Sequence, residues 1–133
     1  MNKRMFEKIM QFEGLVPMEV HEPANGYEIA NLKDVWKDIP QAMLELFEIS
    51  NGLEINVPGT VIYSIHELLE RIGEEQQRLK EGLIPFGVMS FGDYLYMKPG
   101  GKIIQVDHEE RENFLEWNSI EDFLDDEFAG CES

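Results

Sequence analysis

The densest group of side chains that could do chemistry is Asp107-His108-Glu109-Glu110, where three carboxylates surround an imidazole. Such groups can ligate a metal ion or act as a general acid and base. Adjacent residues in a turn point in different directions, however, and the sequence has neither a His-x-x-x-His pair nor a second cysteine to close a transition-metal site. A hydrolase with paired carboxylates needs two acids facing each other across a cleft, which a run of acids does not establish. The sequence therefore favours a solvated turn, with a metal or acid–base site as the alternative.

Motifs for nucleophilic catalysis and phosphate binding are missing from the sequence. The single cysteine, Cys131, has no partner for a disulfide, and no serine lies in a Gly-x-Ser-x-Gly elbow. Gly87, Gly92, Gly100 and Gly101 are not followed by a helix start carrying a lysine, so they suit turns better than a phosphate-binding loop. We therefore predict a protein that is not an enzyme and that needs no cofactor or metal.

Charge is the strongest signal in the composition. The sequence has 27 acidic and 11 basic residues, a formal net charge of −16, and residues 107–133 contain eleven acids against the single base Arg111, which is −10 of that −16. Nucleic-acid binding draws its affinity from Lys and Arg that neutralise phosphates, so a nucleic-acid partner is excluded. An acidic surface instead attracts a basic protein and speeds its association, although acidity can also serve solubility alone.

Without a motif for catalysis or nucleic-acid binding, the sequence predicts that these acids form a protein-binding surface. Tyr94, Tyr96 and Trp117 could lie beside them, because aromatic rings among carboxylates offer contact area and polar tips to an Arg- or Lys-rich partner. Packing of these rings on a sheet is the alternative. The predicted partner-binding residues are Asp93, Tyr94, Asp107, Glu109, Glu110, Glu112 and Glu116.

The elements that must position these residues centre on residues 84–108. Period-2 alternation and turn residues there predict three consecutive strands joined by tight connections, with one face in the core and the other face wetter. Helical spacing, capping signals and short apolar runs predict the rest: helices over 3–13, 27–37, 40–49, 65–72 and from 119 onward, short strands at 53–57 and 60–63, and a further edge strand at 114–117. Residues 15–26 are predicted to be irregular chain, and 73–82 an exposed helix extension or loop.

Length and composition indicate one domain over residues 1–133. No apolar run of 18 residues exists and the first residues do not form a signal peptide, so no membrane association is expected. The lone cysteine fits a reducing compartment, and the predicted location is the cytoplasm. The oligomeric state is not predicted.

The order of several short motifs along residues 36–125 resembles the SUKH superfamily. These motifs are Ile39-Pro40 before a helix that ends at Asn51-Gly52, Ile84-Pro85-Phe86-Gly87 with Phe91-Gly92-Asp93-Tyr94-Leu95-Tyr96, Gly101-Lys102-Ile103-Ile104 up to Asp107-His108-Glu109, and Trp117 with Ser119 and Phe123-Leu124. Residues 14–35 match no part of this pattern.

The resemblance implies an α+β fold in which helices pack against a twisted, largely antiparallel sheet of about four to six strands, with no catalytic residues. The superfamily includes the yeast cell-wall assembly regulator and bacterial immunity proteins that bind toxins, often nucleases. The first hypothesis is therefore a cytoplasmic, non-enzymatic immunity protein that neutralises a cognate basic toxin domain through its acidic surface. A regulatory scaffold that binds cellular proteins without neutralising a toxin is the second hypothesis, and an enzyme or metal protein using residues 107–110 is the third.

Overall fold

The structure is a computed structural model and describes residues 2–56, 59–90, 92–107 and 113–132. In chain order the elements are α1 (Lys3–Glu13), β1 (Met18–Val20), α2 (Gly26–Val35), α3 (Gln41–Phe47), β2 (Leu53–Ile55), β3 (Thr60–Ile62), α4 (Ile65–Glu74), α5 (Gln76–Lys80), β4 (Ile84–Val88), β5 (Tyr94–Met97), β6 (Ile103–Val106), β7 (Asn113–Trp117) and α6 (Ile120–Glu132). Among these described helices, none has the length and apolar character that a bilayer crossing requires.

The seven strands form one sheet in which every strand pairs antiparallel with its neighbour in the chain, in the order β1 to β7. The predicted α+β class and antiparallel sheet are therefore confirmed, and the three predicted strands within 84–108 are β4, β5 and β6. The sheet has more strands than the predicted four to six. The additional strand β1 lies in the segment predicted to be irregular, where Met18 and Val20 alternate with Glu19 over only three residues.

Side-chain caps fix where two of the helices begin. Asn25 accepts a hydrogen bond from the Glu28 backbone N–H, and the Glu28 carboxylate accepts one from the Asn25 N–H, which is a capping box at the start of α2. Ser64 and Glu67 form the same arrangement at α4, as the sequence predicts. Residues 73–82 continue as the end of α4 and the short α5, and Leu79 is buried, so this segment is helical and packed at one point.

The main core lies between the helices and one face of the sheet. Phe123 of α6 is fully buried and meets the rings of Phe86 and Trp117 edge-on, with centroids 6.1 and 5.0 Å away. Phe12 of α1 stacks on Phe128 of α6 at 4.1 Å, which joins two helices that are far apart in sequence. These rings hold α1 and α6 to the sheet through apolar burial and specific ring geometry.

The other face of the sheet is apolar at its centre, so the prediction of a wetter face is wrong for β5 and β6. Leu83, Tyr96, Ile104 and Val106 form a second buried cluster, and all four residues of β6 are buried. The guanidinium of Arg71 lies 4.7 Å from the centroid of the Tyr94 ring, and that of Arg78 lies 5.6 Å from the Tyr96 ring. Long side chains from α4 and α5 thus shield aromatic rings that the sequence suggests are exposed.

Candidate functional site

Four of the predicted partner-binding residues belong to the acidic segment around residue 110. Asp107 follows β6 and is half-buried. Glu109, Glu110 and Glu112 lie outside the described residues, as does His108. The grouping of these four acids on one surface, and the alternative metal or acid–base site at residues 107–110, therefore remain predictions.

Asp93 lies in the interior and not on the surface. Its side chain is 3% exposed, and its Oδ2 accepts a hydrogen bond of 2.8 Å from Nε2 of Gln105 on β6. Both groups are buried, so the bond satisfies two polar atoms that would otherwise be costly to remove from water. This placement gives Asp93 a structural role between β5 and β6 and does not support direct contact with a partner.

Tyr94 and Glu116 are accessible but already have partners in the chain. The Tyr94 ring is half-buried under Arg71. Glu116 lies on β7, and its carboxylate is 3.4 Å from Nζ of Lys102 and 3.5 Å from Nζ of Lys98. The two ammonium groups, with Lys102 the stronger influence, hold the pKa of Glu116 below its ordinary value. Glu116 is thus a partly neutralised acid.

The acids of α6 are also engaged within the chain. Asp125 pairs with Lys8 of α1, and Asp126 accepts a hydrogen bond from Nε1 of Trp117 at 3.1 Å. Glu127 is buried and accepts a 2.8 Å bond from Oγ1 of Thr60, while burial raises its pKa. These three acids lie near the middle of α6, which ends at Glu132, and each has a partner.

A polar groove lies at the other end of the sheet. Its volume is about 630 Å³, and its walls come from three separate segments: the connection after β1 with the start of α2, the turn between α3 and β2 with β2 itself, and β3 with the start of α4. The lining residues are His21, Glu22, Pro23, Asn25, Glu28, Asn51, Gly52, Leu53, Glu54, Val61, Ile62, Ser64 and Glu67.

Asn51 connects the two helices that form the groove walls. Its Nδ2 donates a 3.0 Å hydrogen bond to Oε2 of Glu28 on α2, and its Oδ1 accepts a 2.8 Å bond from the backbone N–H of Ile65 on α4. Gly52 follows with φ of 95°, and a Cβ there would lie 3.0 Å from the backbone nitrogen of Ser64. Helix α3 already ends at Phe47, before the predicted end at Asn51-Gly52, so these two residues belong to the turn that leads into β2, where Asn51 fixes α2 against α4.

The charge of the groove is negative and is not balanced within its lining. Among the described residues that line the groove, Glu22, Glu28, Glu54 and Glu67 contribute carboxylates, His21 is the one potential cation, and none is Lys or Arg. Low-dielectric walls that carry one sign of charge strengthen the field inside a cleft. This geometry is suited to binding a cationic group.

Glu19 and Glu54 face each other across β1 and β2 at the edge of this groove. A hydrogen bond with Glu54, and then repulsion from its charge, raise the pKa of Glu19 above the ordinary value. Nε2 of His21 lies 3.3 Å from Oε2 of Glu54. The His21 backbone is held by a 2.9 Å bond from its N–H to Oγ of the buried Ser50.

The groove was not predicted from the sequence. The available signal was the alternation of Glu19 and His21 with Met18 and Val20, which is too short to separate from irregular chain beside two prolines. The second capping box, Ser64 with Glu67, was recognised as a helix start but not as part of a site. The groove residues come from segments 21–28, 51–54 and 61–67, and only the sheet register brings these segments together.

Comparison with protein families gives a match over most of the chain. A family model described as SMI1 / KNR4 family (SUKH-1) matches residues 23–126. A search of curated proteins gave no significant match. The matched segment begins before α2 and ends within α6, so it contains β2 to β7 and nearly all of the groove, while Glu19 and His21 precede it. The resemblance in the sequence is confirmed, and the chain belongs to the SMI1 / KNR4 family (SUKH-1).

Proposed function

We propose that this protein is a non-enzymatic immunity protein that neutralises a basic toxin domain by binding it through its acidic surface. The observation that supports this proposal best is the groove, where four carboxylates line a cavity of about 630 Å³ that no Lys or Arg lines. Membership of a family that includes immunity proteins supports a protein-binding role in general terms. The formal net charge of −16 favours a partner of opposite charge.

The groove offers what the side chains of a basic partner require. Lysine and arginine carry a cation at the end of a flexible apolar stem, and a concave site lined by carboxylates can receive that cation while neighbouring walls contact the stem. Arginine can pair with a carboxylate through two parallel hydrogen bonds, which adds directional specificity. We therefore assign the groove as the first contact surface and the acids at 107, 109, 110, 112 and 116 as a second, with Tyr94 beside them.

The test begins with co-expression of this protein and the toxin domains encoded beside its gene, followed by affinity capture. We expect protection of the cells from the toxin and capture of a basic domain at about 0.05 M salt, with weaker capture at about 1 M, where charges are screened within roughly 3 Å. Failure to protect against any co-encoded toxin, together with failure to capture a basic partner, would overturn the proposal.

Charge reversal distinguishes the groove from a nonspecific acidic surface. The groove variant combines Glu22→Lys and Glu54→Lys, and the control combines Glu7→Lys and Glu13→Lys, which reverse the same number of charges at exposed acids on α1 away from the groove. We expect the groove variant to lose affinity by about tenfold or more, while the control changes the dissociation constant by less than about threefold. Equal losses in the two variants would show that only net charge matters and would refute the assignment of the groove.

A second variant tests the acidic segment predicted from the sequence. Reversal of Glu109, Glu110 and Glu112 to lysine removes three charges from the second proposed surface. Loss of affinity in this variant but not in the groove variant would move the contact to this segment and keep the function. Capture of intact cellular proteins without rescue from any toxin would instead favour the regulatory scaffold.

A further inference from the structure

The outer face of β1 and β2 places three potential metal ligands together. Glu19 lies in β1 and His21 directly follows the last residue of that strand, Val20, while Glu54 is directly opposite Glu19 on β2. One ligand atom from each of the three side chains lies within 4.8 Å of the other two. The cluster joins residues from two strands and is not a run of neighbours in sequence.

The closest pair of ligand atoms already has the spacing of a zinc site. With metal–ligand bonds of about 2.0–2.2 Å, two ligands of a tetrahedral Zn²⁺ lie roughly 3.3–3.6 Å apart. Nε2 of His21 and Oε2 of Glu54 are 3.3 Å apart. The exposed Glu19 carboxylate supplies the third ligand atom, which lies within 4.8 Å of those of His21 and Glu54.

The sheet register holds two acids where a cation would relieve an unfavourable contact. Like charges directly opposite each other in an antiparallel pair destabilise the pairing. Met18 and Val20 pack against the core on either side of Glu19, which fixes the backbone that carries this acid. The bond from the His21 N–H to Ser50 also fixes the backbone beside the cluster.

The set of ligand atoms and the open groove indicate the class of metal. One imidazole nitrogen with two carboxylates suits Zn²⁺ and similar divalent transition metals, whereas Mg²⁺ and Ca²⁺ prefer oxygen ligands alone. His21 and Glu54 also line the groove, which leaves space on that side for a water molecule or a ligand atom from a partner as the fourth ligand. Three protein ligands with one open position form an open zinc site.

We infer that Glu19, His21 and Glu54 form a binding site for a divalent transition-metal ion of the Zn²⁺ class. Glu19 and His21 precede the segment that the family model matches, so two of the three ligands lie outside the family match. The inference is independent of the proposed toxin partner, because the site is complete within one chain except for its open position.

Calorimetric titration of the full chain with ZnCl₂, in the absence of any partner, tests the inference. We expect saturable binding of one Zn²⁺ per chain that excess Mg²⁺ does not abolish. His21→Gln and Glu54→Gln should each weaken binding by about tenfold or more. The matched control is His66→Gln, because His66 and Glu70 on α4 also form a histidine–carboxylate pair, at 3.1 Å, but have no third ligand. His66→Gln should leave the affinity unchanged.

A second measurement separates this site from the segment at residues 107–110. In NMR spectra of the wild-type chain, substoichiometric Zn²⁺ should shift the ring resonances of His21 before those of His66 or His108. The His108→Gln variant should retain the Zn²⁺ affinity of the wild type. The inference is overturned if Zn²⁺ does not bind saturably, or if binding survives His21→Gln and is lost in His108→Gln or His66→Gln. Because no partner is present, these outcomes leave the proposed immunity function to its own test.

Discussion

Replacement of Asn51 by alanine should loosen the groove by removing the connection between its two helices. The half-buried Asn51 side chain makes two hydrogen bonds, one to the Glu28 carboxylate and one from the first backbone N–H of α4. Alanine leaves the Ile65 N–H without its partner at a helix start, where substitution of a capping side chain costs about 1 kcal/mol. The backbone bond from the Asn51 N–H to the Glu22 carbonyl is retained, so the change is confined to the side chain.

The second bond adds to this cost but is partly exposed. A hydrogen bond to a buried charged group is worth about 1.5–3 kcal/mol, and solvent screening reduces the bond to Glu28 to about 1 kcal/mol. The total loss is then about 2 kcal/mol in the free energy of unfolding. For a chain of this size we expect the melting temperature to fall by about 6–8 °C.

Urea denaturation followed by circular dichroism measures this loss, and Asn51→Asp is the informative control. Aspartate keeps an acceptor for the Ile65 N–H but removes the donor to Glu28 and places a second carboxylate beside it, so its stability should fall between wild type and Asn51→Ala. A double-mutant cycle with Glu28→Ala should give a coupling energy of about 0.5–1 kcal/mol. A loss below about 0.5 kcal/mol for Asn51→Ala, with no coupling to Glu28, would refute the connecting role.

Two further predictions concern the sheet and a buried acid. A Cβ on Gly87 would lie 2.4 Å from the Val61 carbonyl oxygen, so Gly87→Ala should lower the free energy of unfolding by about 1–3 kcal/mol. The control Gly100→Ala should change the free energy of unfolding little, because a Cβ there has no described atom within 4 Å. Equal effects of the two substitutions in thermal melts would contradict the prediction. Burial raises the pKa of Glu127, so the folded protein binds this proton more tightly than the unfolded chain, and the contribution of Glu127 to stability falls as pH rises from about 4.5 through the raised pKa. Glu127→Gln keeps an acceptor for Thr60, so the stability of this variant should increase relative to wild type as pH rises over that range. A difference in the free energy of unfolding between variant and wild type that does not change with pH would disprove the prediction.

Local patterns in the sequence were sufficient for most of the helices and for the central strands. The capping box of Ser64 and Glu67 depends on residues within a few positions of each other and was predicted correctly, whereas α3 ends at Phe47 and not at the predicted Asn51-Gly52. The strand β1 was missed because its three residues are too few to establish the alternation of a strand, which needs about four to eight residues. Local backbone structure depends on residues that are near in the sequence, so local patterns were sufficient to predict most of it.

Contacts between segments that are distant in the sequence could not be predicted from local patterns. Asp93 lies in a turn-like sequence, and only the pairing of β5 with β6 brings it to Gln105 and buries it. Acids in sequence likewise do not reveal which of them are neutralised: Glu116 meets two lysines, whereas Glu22 and Glu54 line a groove without any. The location of uncompensated charge depends on tertiary structure. The sequence therefore predicted a binding surface at the acidic segment and not at the groove.

The stacking of Phe12 on Phe128 bears on the order in which the protein folds. Every strand of the sheet pairs with its neighbour in the chain, and all pairs except β1–β2 and β3–β4 are joined by connections of six residues or fewer, so these hairpins close short loops and can form early. The contact of Phe12 with Phe128 closes a loop of more than a hundred residues. The entropic cost of closing this loop is smallest when the intervening strands are already ordered. Docking of α1 onto α6 therefore belongs to the last steps of folding, and its opening to the earliest steps of unfolding.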